Sequence, residues 1–203
     1  MKGISAMEIS AAMIKQLREA TGAGVLDCRK ALEATGGDFD MAKAWLKDKG
    51  LAAAAKKADR VAKDGLVGHY IHHNHRIAVL VEINCESDFV ARTEGFTTLT
   101  QNIAKHIAMA NPQYVKPEDV PANVLEEAKQ GFVAEAQAAG KTGAEADAEV
   151  EKKLKKFYEE TCLVQQPYVL DDKVTIGSMI TQGITDLKEN IVVRRFVRYE
   201  LGA

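Results

Sequence analysis

The first fifty residues place apolar side chains at the spacing of an α-helix in three successive stretches. Glycines separate the stretches, at Gly22, at Gly36-Gly37 and at Gly50, and glycine often follows a helix because it accepts a left-handed backbone. Ser10 and Asp38 precede the first and third stretches, and both residue types cap helix N-termini. The pattern predicts a compact three-helix module. Its expected inward positions are Met13, Ile14, Leu17, Val25, Cys28, Leu32, Ala42, Trp45 and Leu46.

After an alanine-rich, basic segment, LAAAAKKADRVAKDG, the apolar residues change from helical spacing to alternation with every second residue. This segment has no large apolar stripe to bury, so it is expected to be a helical or flexible linker. Residues 66–71 and 77–83 then alternate, which predicts a β-hairpin with Asn74 in the left-handed turn position. Residues 191–201 alternate again and are expected to add a third strand. One apolar face of that strand is predicted to carry Ile191, Val193, Val197, Tyr199 and Leu201.

Helical periods occupy the chain between the hairpin and the final strand. A helix is expected over residues 88–110, with a broad stripe that includes Phe96 and Ile103, and a shorter one near residues 174–187. Residues 122–139 and 143–160 each have only a narrow apolar seam. Such seams are typical of a protruding antiparallel helical hairpin rather than of helices that span a core.

Together these elements predict an α+β fold. We expect a three-helix domain at residues 1–52, a linker at 53–64 and a core at 65–203. The core combines a three-stranded antiparallel sheet with packing helices, and the helical hairpin is an insertion at about 118–160.

Composition and charge narrow the class of protein. Apolar residues make up 46% of the 203 residues and charged residues 28%, as in ordinary soluble globular proteins. The formal net charge of −2 provides no electrostatic footprint for nucleic acid or an anionic membrane, so neither is expected as a direct partner. No uncharged apolar run approaches the ~20 residues of a membrane span, and we expect a cytoplasmic protein.

Cysteine and histidine are the residues closest to metal-site chemistry. The three cysteines are widely spaced without a CxxC pair, which favours reduced, buried thiols over disulfides or a zinc site. Histidines cluster around the hairpin turn, but side chains on a strand alternate between faces, and no carboxylate or thiol at short spacing completes a tetrahedron. Exposed tip residues with an interaction role are the favoured interpretation. The cluster consists of His69, His72, His73 and His75.

Residues 85–96, CESDFVARTEGF, leave the placement of one aromatic side chain open. Phe89 lies seven residues before Phe96, so an unbroken helix would make it the first member of the core stripe. Ser87-Asp88, however, is a typical helix start, and Gly95 weakens continuity, which would leave Phe89 pointing outward at the sheet edge. Spacing alone favours the core.

Several segments together resemble bacterial elongation factor Ts over essentially the whole chain. They are LREATGAGVLDCRKALEATGGD, AAKKADRVAKDG, VLVEINCESDFVAR, HIAM, QPYV and RRFVRYELG. The resemblance implies a ubiquitin-associated-like (UBA-like) N-terminal domain and a core that carries a coiled-coil protrusion. The single hairpin-bearing core half resembles the short form of the family, which pairs into a homodimer.

The resemblance also implies an activity without bond chemistry: guanine-nucleotide exchange on the GTPase elongation factor Tu. It therefore implies no catalytic residue, no cofactor and no metal ligand in this chain. Ser87, Asp88, Phe89 and Val90 stand where the family has T-D-F-V, a motif that enters between two helices of the GTPase domain and dislodges Mg²⁺. Two copies of the chain and two of elongation factor Tu would make one assembly.

Other positions carry over from the family as partner contacts. Val25 and Leu26 match an apolar pair that touches the GTPase domain, and Leu26 is the better contact because it points about 100° away from the Val25 face. His72 aligns with a hairpin histidine that helps to seat the factor. Two other classes remain as alternatives: an adaptor or ribosome-associated module, and a histidine-dependent metalloenzyme.

Overall fold

The computed structural model describes residues 9–202, which divide into two compact units. Unit 1 comprises residues 9–61 and Thr181–Asn190, and unit 2 comprises Ala62–Ile180 and residues 191–202. Residues 1–8 and 203 of the predicted domains lie outside the described residues. The predicted boundaries at residues 52 and 65 stay a prediction.

Unit 1 contains the three helices that the sequence predicts: α1 (Ala11–Thr21), α2 (Val25–Ala34) and α3 (Phe39–Ala55). The expected caps are confirmed. The Ser10 side chain accepts a hydrogen bond from the peptide N of Met13, the Asp38 side chain accepts one from that of Met41, and Gly22 is left-handed with φ 69°. The buried centre of this unit is formed by Leu17, Cys28, Ala31, Leu32 and Ala42.

Two predictions for unit 1 are wrong. α3 continues through Gly50 to Ala55, because tertiary packing overrides the low helix propensity of glycine: Thr181 and Thr185 lie at van der Waals distance from where a Cβ would stand. Val25, expected to face inward, is 51% exposed. It is the first residue of α2, and side chains lean toward the N-terminus of their helix, so Val25 leans past the end of α2.

The part of the expected linker up to Val61 lies within unit 1 and is hydrogen-bonded there. The buried amide of Asn190 donates from Nδ2 to the carbonyl oxygens of Ala58 (3.2 Å) and Arg60 (2.9 Å). Lys57 Nζ donates to the carbonyl oxygen of Ile184 at 3.4 Å. Residues 181–190 therefore belong with α3 and the turn that follows it, a pairing distant in sequence that periodicity does not reveal.

Unit 2 is built on the predicted three-stranded antiparallel sheet. Strand β2 (Ile77–Cys85) lies between β1 (Asp64–Ile71) and β5 (Val192–Glu200). Helix α5 (Glu94–Ala110) packs on one face of β1 and β2, and a Cβ at Gly68 would stand 2.3 Å from Thr100 Cγ2, so only glycine permits this approach. The core between sheet and helix includes Val79, Val81, Ile83, Phe96, Ile103 and Ile107.

The hairpin turn uses a different residue from the predicted one. His75, not Asn74, takes the left-handed position, with φ 57°. The Asn74 side chain instead accepts a hydrogen bond from the peptide N of Arg76 at 3.0 Å. This side-chain turn replaces a backbone turn, which leaves the next residue to adopt positive φ.

The predicted apolar face of the last strand is also wrong, because β5 contains a bulge. Glu82 pairs with Arg195 whereas Ile83 pairs with Val193, so Arg194 is an extra residue and the alternation shifts by one. Ile191 and Val193 are buried, but Val197 and Tyr199, which follow the bulge, point to the opposite side of the sheet. That side, here named the open sheet face, exposes Val67, Ile71, Leu80, Val192, Val197 and Tyr199.

Two long helices follow α5, close to the predicted bounds: α6 (Ala122–Ala138) and α7 (Ala144–Thr161). They run antiparallel, since the Phe132 ring meets the Phe157 ring edge-on at 6.5 Å and Glu135 pairs with Lys153. The seam is thin, with Ala136 the one buried residue of the two helices. A two-stranded sheet, β3 (Pro167–Tyr168) and β4 (Asp171–Thr175), and helix α8 (Ile176–Leu187) complete the elements.

Two short family-like motifs, HIAM and QPYV, meet at a buried histidine. His106 Nδ1 accepts a hydrogen bond from the peptide N of Val169 at 3.3 Å, so Nε2 carries the proton and donates to Gln166 Oε1 at 2.9 Å. Gln166 Nε2 donates to the carbonyl oxygen of Glu160 at 2.8 Å. The neutral imidazole thus joins α5 to the end of α7 and to β3.

This histidine makes stability depend on pH. Burial lowers the pKa of His106 below its ordinary value of 6.5, and the Gln166 hydrogen bond opposes that shift only in part. The unfolded chain therefore binds more protons than the folded one as the pH falls below this value, so stability is fully present above it and is lost toward lower pH. Between about pH 7.5 and pH 5.5, we expect the free energy of unfolding to fall more for the wild type than for His106→Gln. Parallel losses in urea titrations would contradict this assignment.

Candidate partner-binding site

The predicted helix over residues 88–110 is two helices, and the break decides the direction of Phe89. A single turn, α4 (Asp88–Ala91), is separated from α5 by Arg92 and Thr93. Thr93 has an extended backbone (φ −71°, ψ 148°), and its hydroxyl accepts a hydrogen bond from the peptide N of Phe96 at 3.3 Å. Threonine favours such N-cap geometry over a helix interior because its hydroxyl competes for backbone hydrogen bonds.

The turn α4 is fixed at its start and along its inner side. Ser87 caps it, with its hydroxyl oxygen 3.3 Å from the peptide N of Val90, which donates to it. Val90 and Ala91 are buried at 7% and 4% exposure, where α4 packs against β1 and β2. These anchors leave Asp88, Phe89 and Arg92 on the outer side.

Phe89 is 77% exposed, the highest value among the large apolar side chains of residues 9–202, whereas Phe96 is fully buried. The spacing argument that favoured a core position is therefore wrong, and the alternative of an outward side chain is confirmed. Burial of an aromatic ring stabilises a protein by about 1.5–3 kcal/mol. The free protein forgoes this stabilisation at Phe89, although the turn that carries the ring is anchored. This exposure is typical of an interaction site.

An exposed ion pair lies on the outer side of this turn. Asp88 Oδ2 lies 3.0 Å from an Arg92 guanidinium nitrogen, and both side chains are more than two-thirds exposed. A pair so exposed to water contributes about 0–1 kcal/mol to stability. A partner could therefore separate the two charges at small cost.

The second predicted contact pair lies at the start of α2 in unit 1. Leu26 is 72% exposed and Val25 is 51% exposed. The corner before them is held by the Thr21 hydroxyl, which donates to the carbonyl oxygen of Leu17 at 2.6 Å and accepts from the peptide N of Ala23 at 3.3 Å. Leu26 is thus an exposed apolar side chain on a fixed helix start.

One ion pair supports the same helix start. Lys49 Nζ donates to Asp27 Oδ1 at 2.6 Å, and this hydrogen bond holds the pKa of the Asp27 carboxyl below its ordinary value. Lys49 lies on α3, so the pair joins the first turn of α2 to the neighbouring helix. The result is a defined orientation for the residues around Leu26.

The structure does not bring His72 near Phe89. His72 precedes β2 and Phe89 follows it, and the nine residues of β2 separate the two ends by about 26 Å. His72 Nδ1 lies 3.1 Å from the Tyr70 hydroxyl, and its ring centroid is 4.2 Å from that of His73. Within residues 9–202, no group of three or more His, Cys, Asp or Glu side chains is placed to hold a metal ion.

Sequence reasoning missed one residue that shapes the site, Thr93. The signal was present, because Thr93 is a capping residue type that precedes the acidic Glu94 and the apolar stripe starting at Phe96.

Among the helices of residues 9–202, none is long and apolar enough to cross a membrane.

Exposed apolar side chains on anchored helix starts are typical of protein-binding surfaces, because such groups lose little conformational freedom when a partner covers them. Comparison with known proteins specifies the class further. A family model described as Elongation factor TS matches residues 52–203. The chain belongs to the elongation factor Ts family, a family of translation factors.

Relatives named elongation factor Ts match along nearly the whole chain. The protein of Coprothermobacter proteolyticus is 53% identical over 196 residues, which cover 97% of this chain and 100% of that protein. The protein of Fervidobacterium nodosum is 50% identical with the same coverage. That of Heliobacterium modesticaldum is 50% identical over 194 residues, 96% of this chain and 90% of that protein.

Proposed function

We propose that this chain is a guanine-nucleotide exchange factor for elongation factor Tu, and that Phe89 is its principal wedge. The observation that carries the proposal is the 77% exposure of Phe89 on the capped turn α4, together with membership of the family. The factor makes and breaks no covalent bond, so the proposal requires no catalytic residue and no cofactor. It would act in the cytoplasm, where elongation takes place.

The exchange follows from differential binding. A factor that binds the nucleotide-free GTPase more tightly than the GDP-bound form must weaken GDP by the same factor, because coupling between two sites is reciprocal. The segment Ser87-Asp88-Phe89-Val90 is proposed to enter between two helices of the GTPase domain and to dislodge its Mg²⁺. Mg²⁺ requires near-ideal octahedral coordination. A small displacement of the groups that hold it would therefore lower its binding affinity strongly.

The free energy of burying the Phe89 ring is large enough to account for much of the loss of GDP affinity. Burying the Phe89 ring in the partner is worth about 1.5–3 kcal/mol, or about one to two decades in affinity. The remaining coupling is assigned to a wider interface, in which His72 at the hairpin turn helps to seat the factor.

Unit 1 is proposed to supply a second contact with the GTPase domain through Val25 and Leu26. The UBA-like domain would extend over residues 1–52 and the linker over 53–64. Because residues 181–190 pack within unit 1, a single substitution tests this contact more cleanly than deletion of the first domain.

Leu26→Ala is expected to weaken binding to elongation factor Tu by about one decade, since it removes an apolar side chain that the partner would bury. Met41→Ala is the matched control, because Met41 is 60% exposed in the same unit without a predicted role. Equal losses for the two variants in a titration of elongation factor Tu would count against the Leu26 contact.

The open sheet face is proposed to pair with its counterpart on a second copy of the chain. Leu80 and Val197 are paired in register at its centre, and Val67 and Tyr199 flank them on the outer strands. An exposed apolar patch on a sheet is typical of a protein interface. The resulting homodimer would bind two molecules of elongation factor Tu, with α6 and α7 as the protruding hairpin of each core.

A comparison of two affinities separates this proposal from a simple binding module. The factor should bind nucleotide-free elongation factor Tu more tightly than the GDP-bound form, by a ratio equal to its effect on GDP affinity. An adaptor would bind both forms equally. Titration calorimetry with the two forms distinguishes these outcomes.

A further inference from the structure

The direction of Phe89 depends on one hydroxyl group that lies outside the Ser87–Val90 segment. The Thr93 hydroxyl donates to the carbonyl oxygen of Val90 at 2.7 Å and accepts from the peptide N of Phe96 at 3.3 Å. The peptide N of Thr93 also donates to the Val90 carbonyl, at 3.0 Å. A single side chain therefore closes α4 and opens α5.

Continuing the helix through this point would reverse the placement of Phe89. Seven residues of uninterrupted α-helix turn through about 700°, so Phe89 would stand within about 20° of Phe96 and join its stripe. Phe96 is fully buried and Phe89 is 77% exposed. The difference between the two rings requires the extended backbone at Thr93.

We propose that Thr93 is a positioning residue for the exchange wedge: as the cap of α5 it prevents one continuous helix and so keeps Phe89 directed outward. This inference rests on the proposed function for its effect on exchange. The packing of Val90 and Ala91 on the sheet holds the inner side of α4, and Thr93 sets the point at which α4 ends. Both conditions are needed to present the ring.

The proposal predicts a specific kinetic pattern. Loss of the cap lowers the fraction of molecules with Phe89 outward, and the apparent affinity falls by that fraction. Thr93→Val, which keeps the shape of the side chain without its hydroxyl, is expected to raise the concentration for half-maximal GDP release roughly tenfold with the saturating rate unchanged. Thr93→Ser should restore the wild-type value, because serine keeps a hydroxyl that can donate to the Val90 carbonyl and accept from the peptide N of Phe96.

Thr175 offers a matched control within unit 2. Its hydroxyl accepts a hydrogen bond from the peptide N of Ser178 at 3.1 Å, at the start of α8. Thr175→Val makes the same chemical change at another helix start. It is expected to leave the half-saturating concentration at its wild-type value.

A direct probe of the side chain keeps the test independent of exchange. With the single tryptophan moved to the site, in Trp45→Phe with Phe89→Trp, acrylamide quenching reports the exposure of the ring. Adding Thr93→Val is expected to lower the quenching constant severalfold, and Thr93→Ser to preserve it. If the wild type does not stimulate GDP release, the proposed function fails and quenching alone decides the role of Thr93.

Unchanged quenching in the Thr93→Val protein would overturn the proposal. So would an equal shift in half-saturating concentration for Thr175→Val, or failure of Thr93→Ser to restore it. If Thr93→Val does not fold, Thr93→Ala in the same tryptophan background replaces it, with the same expected fall in quenching.

Discussion

Replacing Phe89 with alanine is expected to slow stimulated GDP release from elongation factor Tu by about one to two decades, the size of one lost aromatic contact. The free protein should keep its stability within about 0.5 kcal/mol, because the ring is 77% exposed and packs against little in the free chain. Release is measured at saturating factor, so that weakened binding alone does not account for the loss.

Phe96→Ala is the matched control for this prediction. The phenyl ring of Phe96 is fully buried, so its removal should lower the free energy of unfolding by about 3–5 kcal/mol. The two variants are thus expected to show opposite patterns, one in exchange and one in thermal denaturation. A Phe89→Ala protein that melts as low as Phe96→Ala would mean that Phe89 supports the fold rather than the partner.

Leu80→Asp is expected to convert the proposed homodimer into a monomer. Leu80 lies on the central strand of the open sheet face, opposite Val197, and burying an unpaired carboxylate there costs several kcal/mol per copy. Since two-fold symmetry places the change on both sides of the interface, the dissociation constant should rise by at least about two decades.

Sedimentation of the Leu80→Asp protein tests this prediction, and the same substitution at another leucine of unit 2 is the control. Leu170, at the turn between β3 and β4, is 73% exposed and outside the open sheet face. Leu170→Asp should sediment as the wild type does. A wild type that remains at 22.1 kDa at every concentration would contradict the proposed dimer itself.

Local patterns sufficed for most of the long elements of this fold, but not for the β3–β4 sheet or for the break between α4 and α5. The three helices of unit 1 were predicted from apolar spacing, and their caps at Ser10 and Asp38 form as expected. The three-stranded antiparallel sheet also follows from alternation, because the period-two pattern recurs in three segments of the chain. These features depend on neighbouring residues, which the sequence displays directly.

The wrong predictions concern residues whose conformation depends on a segment distant in sequence or on a hydrogen bond to the neighbouring backbone. The bulge at Arg194 reverses the faces of β5, and only pairing with β2 reveals it. Gly50 remains helical because residues 181–190 pack against it. Thr93 ends one helix and begins another within a stretch whose periodicity is compatible with one.

The same distinction applies to the candidate site. The proposed contacts at Ser87–Val90, Val25, Leu26 and His72 rest on family resemblance, whereas spacing placed Phe89 in the core and Val25 facing inward. Phe89 lies in a separate turn from Phe96, so the continuous helix that its spacing supposes is absent. Val25 does share α2 with Cys28 and Leu32, but as the first residue of the helix it leans past the helix end.

Release of a fluorescent GDP analogue from elongation factor Tu, with and without this protein, tests the central claim most directly. We predict that the protein accelerates release in a saturable manner, and that excess Mg²⁺ opposes the acceleration, since the proposed wedge would act by dislodging that ion. A release rate that does not change at any concentration of the protein would contradict the proposed exchange activity.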